Sequence, residues 1–487
     1  MKWNSWMGLA VALSVSAVSA QETNELELLR KELRELRART QMLEQKLDRL
    51  ANQSVSPGAS PSAPPVASVP SVPAASQAEG KTWSPSDPIR VGRGGTYADL
   101  GLVATFAAGG STASDIEGGT QLGGHDPNQR GFTVQGAELN LQGAIDPYFR
   151  GNANIAFILD SGGETGVELE EAWLETVSLP WNLQVRAGQI LTDFGRINTQ
   201  HPHSWAFVDA PLVNGRFLGE DGLRNPGARL SWLVPTPFYS ELFFEVQNSA
   251  GGTAYSFRDD HGGEAFLGRV HDSGRVKNLG DMLFTTRYAA SFDLNDTQTL
   301  LAGASSAFGP NGSGASSDTQ IYGVDLYWKW KSPRAHAGFP FVSLQTEAMV
   351  RRYQAGAFTE DLDGSLTLDP GEPDLNGDGI IDSVRREMLT DWGFYSQVLW
   401  GFKQGWVAGL RGDYLTRTKL GAYEAVYGPD PERATRWRIS PNLTWYPSEF
   451  SKLRLQYNYD DRAGFGVDHS IWFQFEFLLG AHAAHKF

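Results

Sequence analysis

From Thr96 onward apolar and polar residues alternate with period two, in segments of about ten residues set apart by turn-forming stretches, as expected of strands whose two faces see different surroundings. In 97–108 the apolar set is Ala98, Leu100, Leu102, Ala104 and Phe106; in 149–160 it is Ala153, Ile155, Phe157 and Leu159, opposite Asn152 and Asn154. In 318–331 Tyr322, Val324, Leu326, Trp328 and Trp330 share one face while Asp325 and Lys329 take the other. In 452–460 Leu453, Leu455, Tyr457 and Tyr459 oppose Arg454, Gln456 and Asn458. About sixteen strands are predicted, at 97–108, 131–145, 149–160, 167–177, 182–191, 227–234, 238–248, 281–293, 298–308, 318–331, 340–352, 390–402, 406–415, 435–445, 452–460 and 469–479.

The connections decide between architectures. Short turns (Asp146-Pro147-Tyr148, Leu179-Pro180, Pro235-Thr236-Pro237, Asn295-Asp296, Gln404, Pro447-Ser448) take turns with mostly longer, Gly- and Asp-rich loops. Barrels that cross an outer membrane show that asymmetry. A soluble sandwich or propeller would bury its apolar faces in a core of Val, Ile and Leu, whereas here those faces carry Tyr and Trp near the strand ends. The fold predicted for 96–487 is therefore an all-β transmembrane barrel of about 16 antiparallel strands. The even number puts both barrel ends in the periplasm, and about sixteen strands leave room for an aqueous channel that about eight would fill with side chains.

Ahead of the barrel the period changes. Leu26, Leu29, Leu33, Leu36, Thr40, Leu43, Leu47 and Leu50 alternate steps of three and four, a heptad seam that predicts a short periplasmic α-helical coiled coil over 21–52. Residues 53–95 are mostly Pro, Ser, Ala and Val and read as an extended linker. Residues 1–20 hold Lys2, the apolar stretch Met7 to Ala17 and the small-residue sequence Ala17-Val18-Ser19-Ala20, a signal peptide cleaved before Gln21.

Composition agrees with export into a sheet-rich structure. None of the 487 residues is cysteine, so stability must come from ladders and packing, and 26 Phe, 15 Trp, 15 Tyr and 54 Gly suit a barrel with aromatic girdles. Without Lys2 the chain keeps 40 basic against 56 acidic residues, a net of about −16 that argues against nucleic acid as a partner.

This arrangement resembles the phosphate-selective porin O/P group and, through its N-terminal coil, is similar to DcaP-like porins. The resemblance rests on coil, linker, about sixteen strands and the final strand Ile471-Trp472-Phe473-Gln474-Phe475-Glu476-Phe477, followed by a chain ending in Phe487. A terminal Phe resembles the signal read by the barrel-insertion machinery, although Gly480 to Lys486 separate it here from the strongly alternating strand. The resemblance implies a homotrimer in the outer-membrane bilayer and diffusion of small polar or anionic solutes. No lysine or arginine motif fixes phosphate as the solute. A tether gripping peptidoglycan through the coil is the alternative.

Assigning the non-apolar face of each strand to the lumen puts Glu138, Glu171, Glu175, Glu241 and Glu245 on an early, acidic wall, with Arg186 among them. Arg351, Arg411, Arg436, Arg438 and Arg454 stand on a later, basic wall, with Arg287 between the two groups. The walls should face each other across the water and set up a transverse field; alternatively the arginines pair with lumen acids such as Glu347 and Asp413. Loop 192–226, with Arg196, His201, His203, Asp209, Arg216 and Arg224, occupies the place where a porin folds a constriction loop inward. Two histidines across Pro202, with no third ligand near in sequence, signal a metal only weakly. In loop 353–389, Asp374, Asn376 and Asp378 stand at alternate positions ahead of Gly379, with Asp382 beyond it, as in calcium loops, but position twelve is Arg385 where an EF-hand has Glu. Ca2+ is thus a candidate there, and no cofactor is required. No Ser–His pair or phosphate loop suggests an enzyme.

Overall fold

The computed structural model describes residues 89–93, 96–259, 265–270, 274–314, 316–362, 364–418, 421–428 and 433–480; the expected signal peptide, coiled coil, most of the linker and Phe487 lie outside them. Sixteen strands form the barrel: Thr96–Ser111, Gly131–Ala144, Phe149–Leu159, Thr165–Thr176, Leu183–Leu191, Arg224–Leu233, Tyr239–Asn248, Met282–Asn295, Gln298–Pro310, Asp318–His336, Phe339–Ala355, Glu387–Lys403, Trp406–Leu415, Arg436–Ser448, Ser451–Arg462 and Gly466–Gly480. Each pairs antiparallel with the next, and the last returns to the first from Gly101↔Gly480 to Ser111↔Ser470. Closure leaves no edge of unpaired backbone, which hydrocarbon would not tolerate. Ile89–Arg93, expected as the end of the linker, is a strand instead. It pairs with Thr96–Leu100, the stretch of the first strand just before its pairing with the last strand begins.

The period-two pattern places the apolar residues outward. On the strand Glu387–Lys403, Trp392 and Phe394 stack with Tyr414 toward the loop end, while Trp400 and Phe402 pack together toward the turn end. Leu410, Ile439 and Leu443 lie between such groups and are exposed. The eight steps from Trp392 to Trp400 cover about 26 Å at roughly 3.3 Å each, or about 20 Å vertically at a tilt near 40°, close to the ~25 Å apolar band of such barrels. Phe132 and Trp181, 83% and 81% exposed, mark the two rims.

Two features escape simple alternation. The turn between Asp318–His336 and Phe339–Ala355 is Ala337-Gly338, with both residues at positive φ (48° and 85°), as a two-residue hairpin requires. Bulges occur opposite Thr105/Phe106 and Asn154/Ile155. The second turns Glu170 and Glu171, consecutive in sequence, into the barrel together, since both are buried and Leu169 points out.

Candidate functional site

The connection between Leu183–Leu191 and Arg224–Leu233 is folded into the barrel. It carries an apolar set, Phe194, Ile197, Leu212, Val213, Phe217 and Leu218, that packs against Leu283, Ala307, Ile321, Met349, Tyr395 and Leu415 of the surrounding wall. A water-filled lumen has no use for such a patch. These residues bury one another, and the short helix Leu212–Leu218 is the centre of that packing. At the helix start the Leu212 amide donates to Asp413 (3.1 Å), and the Arg196 and Ile197 amides donate to Glu347 (both 2.9 Å).

The polar anchors follow the charge of each wall. On the basic wall the fully buried Asp209 accepts from Arg411 (2.6 Å), Arg438 (3.0 Å), Gln456 (2.8 Å) and Asn458 (3.0 Å). Burial pushes its carboxyl up, yet Arg411 and Arg438 outweigh that and hold it below the ordinary aspartate value. Arg454 donates to the carbonyls of Phe207 (2.9 Å) and Trp205 (3.0 Å), and Lys452 to that of His203 (2.6 Å). Arg351 pairs with Asp391 (2.8 Å) and reaches the Arg216 carbonyl (3.2 Å). Arg436 pairs with Asp460 and takes the carbonyls of Gly119 (2.9 Å) and Thr120 (2.6 Å) from the loop after the first strand. Arg287 pairs with Asp325 (2.6 Å) on the wall itself.

On the acidic wall the inward loop presents histidines. His201 meets Glu170 (3.1 Å) through Nδ1 and Glu171 (3.0 Å) through Nε2; His203 meets Glu138 (3.0 Å) through Nδ1. The two imidazoles stack at 5.8 Å and 8°. His125 of the first long loop approaches the other oxygen of Glu170 at 3.3 Å. Burial disfavours charge on His125, but Glu170 reverses this and holds its pKa at about 10. His201, with a small part of its ring exposed, is pushed down by desolvation but held well above the ordinary histidine value by Glu170 and Glu171. Glu175 takes Arg150, Arg186 and Arg229, and Glu245 accepts from the Asp193 amide (3.1 Å). Glu241, half-buried near the turn end, accepts from Tyr239 (2.6 Å).

The picture of two charged walls facing open water is therefore corrected. What lies between them is a loop with an anion on the basic side and imidazoles on the acidic side. Arg224, expected in the constriction loop, instead starts a strand and pairs with Glu168 (2.5 Å). Sequence reasoning missed Glu168, Glu170, Arg229, Lys452 and Asp460.

Two chambers flank the loop. The one toward the long loops, about 500 Å3, is lined by Arg216, Arg351, Arg433, Arg436 and Arg462 with Asp115, Glu220 and Asp259. The one toward the turns, about 450 Å3, has Arg196, Lys329 and Lys452 and not one carboxylate among its lining residues. A crevice of about 40 Å3, passing His125, Glu170, His201 and Arg224, borders both: it shares Gly215 and Glu220 with the first and Gln200 and Trp205 with the second. In the 353–389 connection Asp374 accepts from the amides of its own turn, Gly377 (2.7 Å) and Gly379 (3.0 Å), while Asn376 donates to Asp378 and Asp382 (both 3.0 Å).

No family model matches the chain. An uncharacterized protein of Aquifex aeolicus (strain VF5) is 32% identical over 392 residues, 75% of this chain and 73% of that protein. The chain belongs to the same family as this Aquifex protein. Among solved structures, the outer membrane channel DcaP of Acinetobacter baumannii superimposes with a TM-score of 0.50 at 11% identity, covering 79% of this chain and 98% of DcaP. Salmonella typhi OmpF gives 0.46 at 11% identity over 80% and 100%. The likeness to DcaP is one of fold, a barrel with the strand arrangement described above.

Proposed function

We propose that this chain is an outer-membrane porin of DcaP-like type, trimeric, with its turns in the periplasm, that lets small anionic or polar solutes diffuse through a passage narrowed by the inward loop. The observation that carries the reading is the chamber on the turn side, where Arg196 and Lys329 stand with no carboxylate in the lining, while Lys452 is paired with Glu476 behind it (2.7 Å). An anion that passes the loop meets a positive potential focused by low-dielectric walls, and a cation meets a barrier. The other chamber adds less, since its Arg351 is paired with Asp391, Arg436 with Asp460, and Arg462 with Asp115 and Asp468. The lipid-facing belt and closed ladder support a membrane setting. The crevice of about 40 Å3 is far smaller than the two chambers it borders, so conductance should be small and rise when the loop is removed. Planar-bilayer recording in asymmetric salt tests the reading: an anion-selective reversal potential supports it, and a cation-selective one overturns it.

A further inference from the structure

We propose that His201, His203, Glu138 and Glu170 form a binding site for a divalent late transition cation of the zinc class, which ties the inward loop to the acidic wall inside the throat. His201 Nδ1 lies 3.1 Å from Glu170 Oε2 and 3.8 Å from Glu138 Oε2, and His203 Nδ1 lies 3.0 Å from the same Glu138 oxygen. Donors sharing a tetrahedral ion with bonds of roughly 2.0–2.2 Å are about 3.3–3.6 Å apart, so Glu138, Glu170 and His201 need only small adjustments, while His203, stacked parallel to His201, joins by turning its ring. Ligand atoms of Glu138, Glu170 and His201 lie within 4.8 Å of one another. Two nitrogens with two carboxylate oxygens is a donor set for zinc, cobalt or nickel, whereas calcium and magnesium prefer oxygen throughout.

The surroundings fit as well. Ring nitrogens that bind metal commonly have their other N–H fixed by a carboxylate. His201 Nε2 faces Glu171 at 3.0 Å, which leaves Nδ1 toward Glu138 and Glu170. Glu170 is aimed by His125, whose own Nδ1 is fixed on the Gln135 carbonyl at 2.9 Å. Glu138, Glu170 and Glu171 are all buried, and besides the histidines Arg224 stands 3.9 Å from Glu170. The neighbouring group His125, Glu168 and Asp221 is served by Arg224, at 2.5 Å from Glu168 and 3.4 Å from Asp221. The ligands come from two strands and the inward loop, so an ion there would close the crevice and hold the loop docked.

The test uses the full chain folded in detergent micelles, titrated with zinc in excess calcium by calorimetry, with cobalt as a spectroscopic probe. One zinc per chain is expected, with cobalt giving the intense visible bands of a four-coordinate site. His201→Gln and Glu170→Gln should each weaken zinc at least 100-fold, Glu171→Gln about 10–100-fold as an outer-shell change, and His469→Gln, on the outer surface, not at all. Heat-modifiable migration verifies that each variant is folded. Absence of zinc binding by the native chain, or binding unchanged in both His201→Gln and Glu170→Gln, overturns the proposal: the cluster is then an ion-pair latch alone. Neither outcome depends on whether the barrel conducts anions.

Discussion

Replacing Asp209 by Asn should loosen the inward loop while leaving the barrel intact. The carboxylate is fully buried and accepts from four side chains, two of them the guanidinium groups of Arg411 and Arg438. An amide removes the charge and turns one acceptor into a donor aimed at other donors. Breaking a buried ion pair usually costs about 3–5 kcal/mol, but Arg411 keeps Asp413 and Arg438 keeps Asp460. The loss should therefore be nearer that of one charged hydrogen bond, about 2–3 kcal/mol. At 1.36 kcal/mol per decade this shifts the docking equilibrium about 30- to 150-fold. Limited trypsin digestion of the folded protein at Arg196 and Arg216 reads that equilibrium when closing is faster than cleavage. Arg411→Gln added to Asp209→Asn should cost less than it does alone, because the two share one interaction. Cleavage of Asp209→Asn within twofold of the native rate, with the barrel still heat-modifiable, would refute the clamp.

Arg196→Gln with Lys329→Gln should move the reversal potential away from anions with the conductance kept within about twofold, since field changes more than bore; an unmoved potential would remove the turn-side chamber from the conducting path. Leu410→Arg, midway between Trp406 and Tyr414 on the lipid-facing band, should destabilise the barrel by about 2–4 kcal/mol in denaturant titration in lipid, whereas a neutral effect would place that face away from hydrocarbon. Asp126 accepts from the amides of Gly123 (2.9 Å) and Ala210 (2.7 Å), and burial together with Asp209 pushes its carboxyl up to about 7. Because that folded value lies above the unfolded one, the stabilisation is complete below about pH 4 and is lost as pH rises through 7. Loop protection against proteolysis should thus increase from pH 8 to pH 5, and Asp126→Asn should flatten the dependence; an equal slope in the variant would assign it to other groups.

The strands were legible because lipid imposes period two on every crossing, and all sixteen segments read from the sequence coincide with barrel strands. The Ala337-Gly338 turn was not, since the alternating apolar set ends by Lys331 while the strand runs on to His336, and Ala is a poor sign of positive φ. The acidic and basic walls were readable by phase, but Glu170 was missed because a bulge cancels the phase for one residue. Residues on the lumen face that are apolar, Ile321, Met349, Tyr395 and Leu415, were the available sign that something packs inside. The partners of each charge were beyond reach, for Asp209 meets Arg411 and Arg438 across 202 and 229 positions of sequence.

Single-channel recording of the purified protein in a planar bilayer, with salt asymmetric across it, tests the porin assignment most directly. Small discrete conductance steps should appear, with a reversal potential on the anion-selective side set by Arg196 and Lys329. A folded, membrane-inserted barrel that gives no steps, or one that selects for cations, would contradict it.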